Sequence, residues 1–245
     1  MKHLKVFETV AAFEAAESTL DKPNVSLIEA TNGINYLPYI APDPYNGHEY
    51  VEIAGLKWAT KNVGANSITD TGLYFQWGDT QGYTSSQVGS GQKYFGWADY
   101  KFNPSGDGKT FTKYNDTDGL TTLEISDDAA RANMGGSWRM PTTTELQNLG
   151  AAVNTVWTAD YNGSGVAGLV CTAKDGSGAQ LFFPAVGYYS KGSVYFVGNV
   201  GFYWSSSLYS IDVIKAWNLS FDNGGNNWDN NYGRYYGCAV RGVAD

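Results

Sequence analysis

The side chains that most often carry catalysis or hold metals are scarce in this sequence. It contains two cysteines, Cys171 and Cys238, and two histidines, His3 and His48. A zinc site or a disulfide framework needs more ligands than these four residues supply. Two free thiols are the expected state, with a single Cys171–Cys238 bridge as the alternative. Because His3 lies near the N-terminus and His48 in an apparent linker, a histidine-based catalytic site is difficult to assemble. The sequence therefore predicts a protein that is not an enzyme and that uses no metal and no cofactor.

Two other groups of polar residues resemble functional sites. The run Asp116-Thr117-Asp118-Gly119 is similar to a calcium loop, but Tyr114 occupies the first ligand position and Ile125 the twelfth, which excludes an EF-hand. Arg139 and Glu145 are charged residues that could line a site. The structural interpretation is favoured for both: Glu145 caps a helix, and Arg139 binds loop carbonyls.

A stretch between Leu208 and Cys238 has the composition of a binding surface. It is rich in Tyr, which offers large contact area at low rotamer cost, and in Asn, Ser and Asp, which form adaptable hydrogen bonds. The alternative is a solvated loop of a stable β-rich domain. Under the first interpretation, the ligand-binding residues converge on one exposed face, and they are Tyr209, Ser210, Asp212, Ile214, Asp222, Asn226, Asn227, Asp229, Asn230, Tyr232, Tyr235 and Tyr236.

Charge and composition limit the partners. The 245 residues include 16 Lys and Arg against 24 Asp and Glu, a formal net charge of −8, which disfavours binding to nucleic acid. The 30 glycines and the 15% of aromatic residues are typical of many turns and short strands. No run of about 18 apolar residues occurs, and the first eight residues lack the apolar core of a signal peptide. We therefore expect a soluble chain, made in the cytosol, that does not insert into a membrane.

The pattern of the chain predicts two domains and a linker. Residues 1–37 read as a small β-α-β-β module for attachment or oligomerisation, with the hairpin turn at Thr31-Asn32-Gly33. Residues 38–49 contain Pro38, Pro42 and Pro44 and are predicted to form a semi-rigid linker. The ligand-binding domain is predicted to span residues 50–245.

Within residues 50–245 the pattern predicts an α+β fold with many short strands, two short helices and long irregular loops. A hairpin is expected around Ala54-Gly55, and a long irregular region over residues 73–122. Ser126 is predicted to cap the first helix, and the Thr142 to Glu145 spacing predicts a capping box on the second. The predicted strands include Leu169 to Thr172, Leu181 to Phe183, Val194 to Val197, Trp217 to Phe221 and Ala239 to Val243.

Aromatic residues are expected to form much of the core. In the predicted strand at 216–221, strict alternation places Trp217, Leu219 and Phe221 in the core and leaves Asn218 and Ser220 on the other face. Because irregular chains need large side chains to bury area, core packing is favoured over a sugar-stacking platform for Trp58, Trp77, Trp138 and Trp204.

Five motifs in register carry a family resemblance over residues 50–245. They are GLKWAT at 55–60, YFQWG at 74–78, GGSWRMPT at 135–142, FPAVGY at 183–188 and YWSSS at 203–207. Together they resemble the C-type-lectin-fold domains of gut bacteria and their phages, which are related in fold to the formylglycine-generating enzyme. That enzyme uses a cysteine pair near its C-terminus, whereas Cys238 has no near neighbour, so its activity is not expected here.

One subset of that fold, typified by the phage major tropism determinant, is diversified by retroelements. Mutagenesis of template adenines turns Asn codons into Tyr, Asp, Ser or Ile codons, but never into Trp, Lys or Glu. The stretch from Leu208 to Cys238 resembles such a product. The resemblance implies a diversified receptor-binding protein of a phage tail, carried on the virion. Its partner would be a cell-surface protein or glycan of a host bacterium, and its assembly a homo-oligomer, with a trimer as the leading expectation. The alternatives are a non-diversified adhesin on the bacterial cell surface, and a lectin proper.

Overall fold

The computed structural model describes residues 25–27, 38–40 and 44–245. The chain divides into two units, Met1–Glu49 and Tyr50–Asp245. In the first unit, strand β1 (Val25–Leu27) pairs antiparallel with strand β2 (Pro38–Ile40). The predicted linker therefore starts with a strand, because its first three residues pair with β1. The helix, the first strand and the Asn-Gly turn predicted for residues 1–37 lie outside the described residues.

The second unit begins with the predicted hairpin. Strands β3 (Tyr50–Ile53) and β4 (Leu56–Asn62) pair antiparallel. Ala54 and Gly55 form the two-residue turn with φ of 55° and 77°, the left-handed conformation that a type I′ turn requires. On the other side of β4 lies the C-terminal strand β13 (Arg241–Ala244), with Val243 opposite Trp58. The two ends of this unit thus meet in one sheet.

Three short helices occur among the described residues: α1 (Ser85–Gly89), α2 (Ala129–Met134) and α3 (Thr143–Ala152). The capping box on α3 is confirmed, since Thr142 Oγ1 accepts from Glu145 N at 3.2 Å and Glu145 Oε2 from Thr142 N at 2.7 Å. Ser126 does not cap α2, because it lies in a 3₁₀ turn (Ile125–Asp127) and the Asp128 carboxylate accepts the Arg131 amide at 2.9 Å. Helix α1, in the region expected to be irregular, is too short to give a readable period.

The remaining strands form small antiparallel sheets, which with the few helices make the unit α+β. One sheet has the order β5-β6-β7, from Val153–Thr158, Gly168–Ala173 and Gln180–Pro184. Strands β8 (Tyr188–Ser190) and β9 (Ser193–Tyr195) form a hairpin. A third sheet has the order β10-β11-β12, from Val200–Leu208, Lys215–Asp222 and Gly225–Gly233.

The core is pinned by four tryptophans. The side chains of Trp58, Trp77, Trp138 and Trp204 are fully buried, which confirms them as core residues. Trp77 Nε1 donates to Ser205 O, and Trp204 Nε1 to Phe75 O, both at 2.9 Å, so these indoles also tie distant loops together. Both cysteines are free, buried thiols. Within the described residues, no helix is long and apolar enough to cross a membrane.

Two arginine side chains, Arg139 and Arg241, connect separate segments of the chain, but Arg139 does not do so in the way that was predicted. Arg139 pairs with Glu145 through two hydrogen bonds of 2.8 and 2.7 Å and also reaches Asp245, so its prediction as a binder of loop carbonyls is wrong. Arg241 does bind backbone carbonyls, but they belong to strands β4 and β7 and not to loops. Its buried guanidinium donates to Asn62 Oδ1 and to three backbone carbonyls, those of Ala59, Thr60 and Phe182.

Candidate functional site

The sheet β10-β11-β12 carries six of the twelve predicted binding residues, and β11 is its central strand. Leu219 and Phe221 are buried as expected, but Trp217 is only half-buried and Asn218 is completely buried. Asn218 lies on the face opposite to Leu219, as the alternation predicts, but that face is also covered at this position. Asn218 is flanked by the buried Trp204 on β10 and by Asn230 on β12, which donates to Asn218 Oδ1 at 3.0 Å. The sheet is thus covered on both faces at this point.

Strand β12 contains a bulge, which directs neighbouring side chains to different environments. Asn218 pairs with Asn230 and Ser220 with Asn227, so Trp228 and Asp229 together oppose one residue of β11. A bulge of this kind re-aims the side chains around it. Trp228 packs against the core, whereas Asp229 is exposed.

Scaffold side chains hold two of the predicted binding residues in place. Gln147 Nε2 of helix α3 donates to Asp229 Oδ2 at 3.0 Å. Asn226 Nδ2 donates to Thr155 Oγ1 of strand β5 at 3.1 Å. Both contacts are exposed, so each can break at small cost when a ligand competes for the same atoms.

A tight turn connects β11 to β12. Asp222 Oδ1 accepts from the amides of Gly224 and Gly225 at 2.7 and 3.1 Å, an Asx turn that orders the loop. Because Oδ1 is used in this way, the carboxylate has a fixed position. Its Oδ2 accepts no hydrogen bond from any residue that the structure describes, and the side chain is exposed.

A cleft of about 480 Å³ lies beside this turn. Four predicted binding residues line it: Asp222, Asn226, Asn227 and Tyr232. The rest of the wall comes from residues that the sequence interpretation did not select, namely Tyr188, Phe196, Val200, Phe202, Ser220, Phe221, Gly224 and Gly225. For one of them, Phe196, the sequence offered a signal, the apolar run at residues 194–197. In the structure, Val194, Tyr195, Phe196 and Val197 are all between 41 and 56% exposed.

Aromatic contacts connect Tyr235 and Tyr236 to the cleft. Tyr236 stands 4.3 Å from Tyr232 and 5.2 Å from Tyr188, measured between ring centroids, and Tyr235 stacks on Tyr236 at 4.1 Å. Burial raises the pKa values of Tyr232 and Tyr235 above the usual range, so both phenols stay neutral and can donate a hydrogen bond. Tyr232, Tyr235 and Tyr236 are half-buried, and they join the cleft to a continuous tyrosine surface.

The loop between β10 and β11 carries four further predicted residues, and none of them lines the cleft. Tyr209 contacts Trp217 edge-on at 4.7 Å, and Asp212 pairs with Lys215 at 3.2 Å. Ser210 is exposed and Ile214 half-buried. The eight residues of β11 place this loop about 23 Å from the turn at Asp222.

The Tyr209 side chain also lies on the other face of the sheet. Tyr232 pairs with Ala216, and Trp217 is the next residue along β11, so Trp217 and Tyr232 project to opposite faces. Because Tyr209 packs against Trp217, it lies on the same face as Trp217. The expected single face therefore separates into a cleft group (Asp222, Asn226, Asn227, Tyr232, Tyr235 and Tyr236) and a loop group (Tyr209, Ser210, Asp212 and Ile214), with Asp229 and Asn230 on β12 between them.

A second cleft of about 280 Å³ lies between helix α3 and residues 122–140. Its charged groups serve the fold. Asp128 accepts from the amides of Arg131 and Met140, and Arg139 is bound to Glu145. Burial raises the pKa of Asp128 above its ordinary value. Within the described residues, no three His, Cys, Asp or Glu side chains are grouped so that they could hold a metal ion.

The comparisons with known proteins concern the segment that contains the first cleft. Residues 172–242 match a family described as a domain of unknown function, DUF8237. The matched range covers less than a third of the chain, but it includes every residue that lines the first cleft. No curated protein and no solved structure matches the chain.

Proposed function

We propose that this protein is a non-enzymatic ligand-binding protein whose C-terminal surface is diversified by a retroelement. The observation that carries the proposal is the rim of the first cleft, which Asp222, Asn226, Asn227 and Tyr232 form on strands whose core side chains are buried. Exposed Asp and Asn side chains beside a half-buried Tyr, on a rigid scaffold, have the composition of a paratope. Such positions can change without loss of the core beneath them.

The same proposal includes a C-type-lectin-like fold for residues 50–245. It is supported by the small antiparallel sheets, the long irregular loops and the four buried tryptophans. In this role the protein is a receptor-binding component of a phage tail, and the ligand is a protein or glycan on the surface of a host bacterium. The N-terminal unit would attach the protein to the particle and bring copies together.

Binding to intact bacteria tests the proposal. Fluorescently labelled protein would be incubated with a panel of gut bacteria, alongside a variant with Asp222, Asn226, Asn227 and Tyr232 all changed to Ala. A matched variant carries Ala at four exposed positions outside the cleft: Asp116, Thr117, Asp175 and Gln180. We expect the first variant to lose binding and the second to retain it. Equal binding by both variants would place the ligand elsewhere.

Two observations separate the proposal from its alternatives. A near-identical template repeat beside a reverse-transcriptase gene in the surrounding DNA is expected for a diversified protein and not for a constant adhesin. Loss of cell binding in EDTA would favour a calcium-dependent lectin, whereas we expect binding to survive chelation.

A further inference from the structure

The first cleft combines an aromatic wall with a single charged group. The rings of Phe202 and Tyr232 are 5.0 Å apart, and Tyr188 contacts both edge-on, at 5.2 and 5.3 Å. Phe196 continues this wall at 6.1 Å from Tyr188 and is 56% exposed. A ligand that enters the cleft therefore meets aromatic rings and not aliphatic side chains alone.

The charge of the cleft is negative. Among its twelve described lining residues, Asp222 is the one that carries a charge at neutral pH. The basic residues nearest to Asp222 in the sequence are occupied or hidden, since Lys215 pairs with Asp212 and Arg234 is fully buried. Lys191, three residues after Tyr188, is exposed but does not line the cleft. The negative charge of Asp222 is therefore not neutralised by any other described residue of the cleft, and the chain as a whole is also negative, with a net charge of −8.

Aromatic faces and a carboxylate together favour one class of ligand. Phe196 is exposed and Tyr232 half-buried, whereas Tyr188 and Phe202 are buried behind them. An organic cation gains from the negative face of an accessible ring and from the carboxylate, whereas an anion is repelled by Asp222. We infer that the cleft binds the cationic side chain of a lysine or arginine on a protein ligand. This inference deepens the proposed function and rests on it, because it assigns the chemistry of the ligand at that same surface.

The inference also divides the cleft into constant and variable parts. Tyr188, Phe196 and Phe202 lie outside the proposed diversified residues, while Asp222 and Tyr232 belong to them. Phe221 also lies outside that set, so every version of the surface keeps four of the five aromatic rings that line the cleft. The Asp222 carboxylate, and with it the preference for a cation, is a feature of this particular sequence, because Asp222 is one of the proposed diversified residues.

Small probes test the inference on the full chain by NMR. N-acetyl-arginine amide is titrated against N-acetyl-citrulline amide, which has a similar shape and no charge. Choline and its neutral isostere 3,3-dimethylbutanol form a second pair, which represents a small quaternary ammonium group. The amide signals of Gly224, Gly225 and Asn226 report occupancy of the cleft, and 0.5 M NaCl is added as a test of charge dependence.

We expect the arginine probe to shift these signals and to bind about three- to fivefold more tightly than the citrulline probe. Asp222→Asn should remove that difference, because it eliminates the charge but keeps an Oδ1 for the turn. Asp175→Asn is the matched control, since it makes the same change of charge on an exposed residue outside the cleft whose Oδ1 also accepts an amide in a turn, that of Ser177. Tyr232→Phe should retain the affinity and Tyr232→Leu should lower it. Thermal melts verify that all four variants are folded.

Three outcomes would overturn the inference: equal binding of arginine and citrulline, equal effects of Asp222→Asn and Asp175→Asn, or no shift with either probe. Tighter binding of choline than of the arginine probe would assign the cleft to a quaternary ammonium group and overturn the protein side chain as its ligand. If the probes fail but the alanine variant still loses binding to bacteria, the proposed function stands and only the cation is wrong.

Discussion

Trp228 of strand β12 lies directly against Gly150 of helix α3. A Cβ atom placed on Gly150 would come within 2.6 Å of the Trp228 ring, a distance that real Cβ contacts do not show. Trp228 is also the residue that the β12 bulge turns toward the core. The position of the strand that carries the candidate site thus depends on the absence of one side chain from the helix beside it.

The first prediction follows from this contact. Gly150→Ala forces Trp228 to move, and overpacking of this kind costs about 1–3 kcal/mol, which outweighs the gain of up to about 1 kcal/mol from replacing a helical glycine. Gly89→Ala is the control, because Gly89 is also helical and its Cβ would meet nothing within 4 Å. We expect chemical denaturation to show a loss of stability for the first variant and none for the second. Equal stability of the two would mean that Trp228 can move freely.

The second prediction concerns tolerance on the binding surface. Asn227→Ala removes an exposed side chain and should change the free energy of unfolding by no more than about 0.5 kcal/mol. Trp204→Ala empties a fully buried position and should cost about 3–5 kcal/mol. Trp217→Ala is expected to fall between them, because Trp217 is half-buried. Comparable losses for Asn227→Ala and Trp204→Ala in denaturant titrations would favour a structural loop over a variable surface.

The third prediction compares two buried arginines. Arg241 uses its guanidinium in five hydrogen bonds. Arg234 donates from Nη1 to Tyr114 O at 2.8 Å, but its Nε and Nη2 have no hydrogen-bond partner among the described residues, and its guanidinium otherwise contacts aromatic rings, that of Phe111 at 4.0 Å. Arg241→Lys should therefore destabilise the protein by about 3 kcal/mol or more, and Arg234→Lys by about 1 kcal/mol. Thermal melts of the two variants show which substitution destabilises the protein more. A larger loss for Arg234→Lys than for Arg241→Lys would contradict the argument from hydrogen bonds.

The fourth prediction is a pH dependence at Asp127. Burial raises the pKa of this carboxyl, but hydrogen bonds from Lys101, Lys113 and Tyr114 outweigh burial, so the pKa lies below its ordinary value. A lowered pKa in the folded state stabilises the protein above the unfolded value of about 3.9, and this contribution is lost as the pH falls through the folded pKa. We expect Asp127→Asn to flatten the loss of stability between about pH 5 and pH 2.

Asp128 provides the control for this pH dependence, because its shift has the opposite sign. Burial raises its pKa, so in the folded protein it binds a proton more readily than in the unfolded chain, and it adds stability as the pH falls. Asp128→Asn keeps a side chain that can cap helix α2 and should steepen the acid loss. Acid titrations of the two variants in parallel, followed by circular dichroism, measure how stability depends on pH. If Asp127→Asn and Asp128→Asn changed the slope of stability against pH in the same direction, the opposite signs assigned to the two pKa shifts would be contradicted.

The fifth prediction concerns assembly. A diversified surface is expected to bind with modest affinity at each site, and repeated copies raise avidity by about 10²- to 10⁴-fold when several sites engage together. We therefore expect light scattering to show an oligomer of the full chain, with a trimer as the leading expectation. A strict monomer would remove the argument from avidity but would leave the single-site binding experiments intact.

Features that depend on a few neighbouring residues were readable from the sequence. The turn at Ala54-Gly55 and the capping box of Thr142 and Glu145 each rest on contacts within three residues, so residue type and spacing are sufficient to predict them. Alternation in the same way located strand β11, with Leu219 and Phe221 in the core. The tryptophans were also predictable, because an irregular chain has few other side chains large enough to fill its core.

The tertiary structure decided everything that depends on contacts between distant segments. Asn218 is buried because Trp204 and Asn230 arrive beside it from two other strands, and Asp128 caps α2 partly because its carboxylate also receives the Met140 amide. The bulge in β12 and the aromatic wall from Phe196 and Phe202 depend equally on which strands lie together. Side-chain period specifies the two faces of a strand, but what covers each face is set by packing of the whole domain. For that reason the sequence located the polar rim of the cleft and not its aromatic wall.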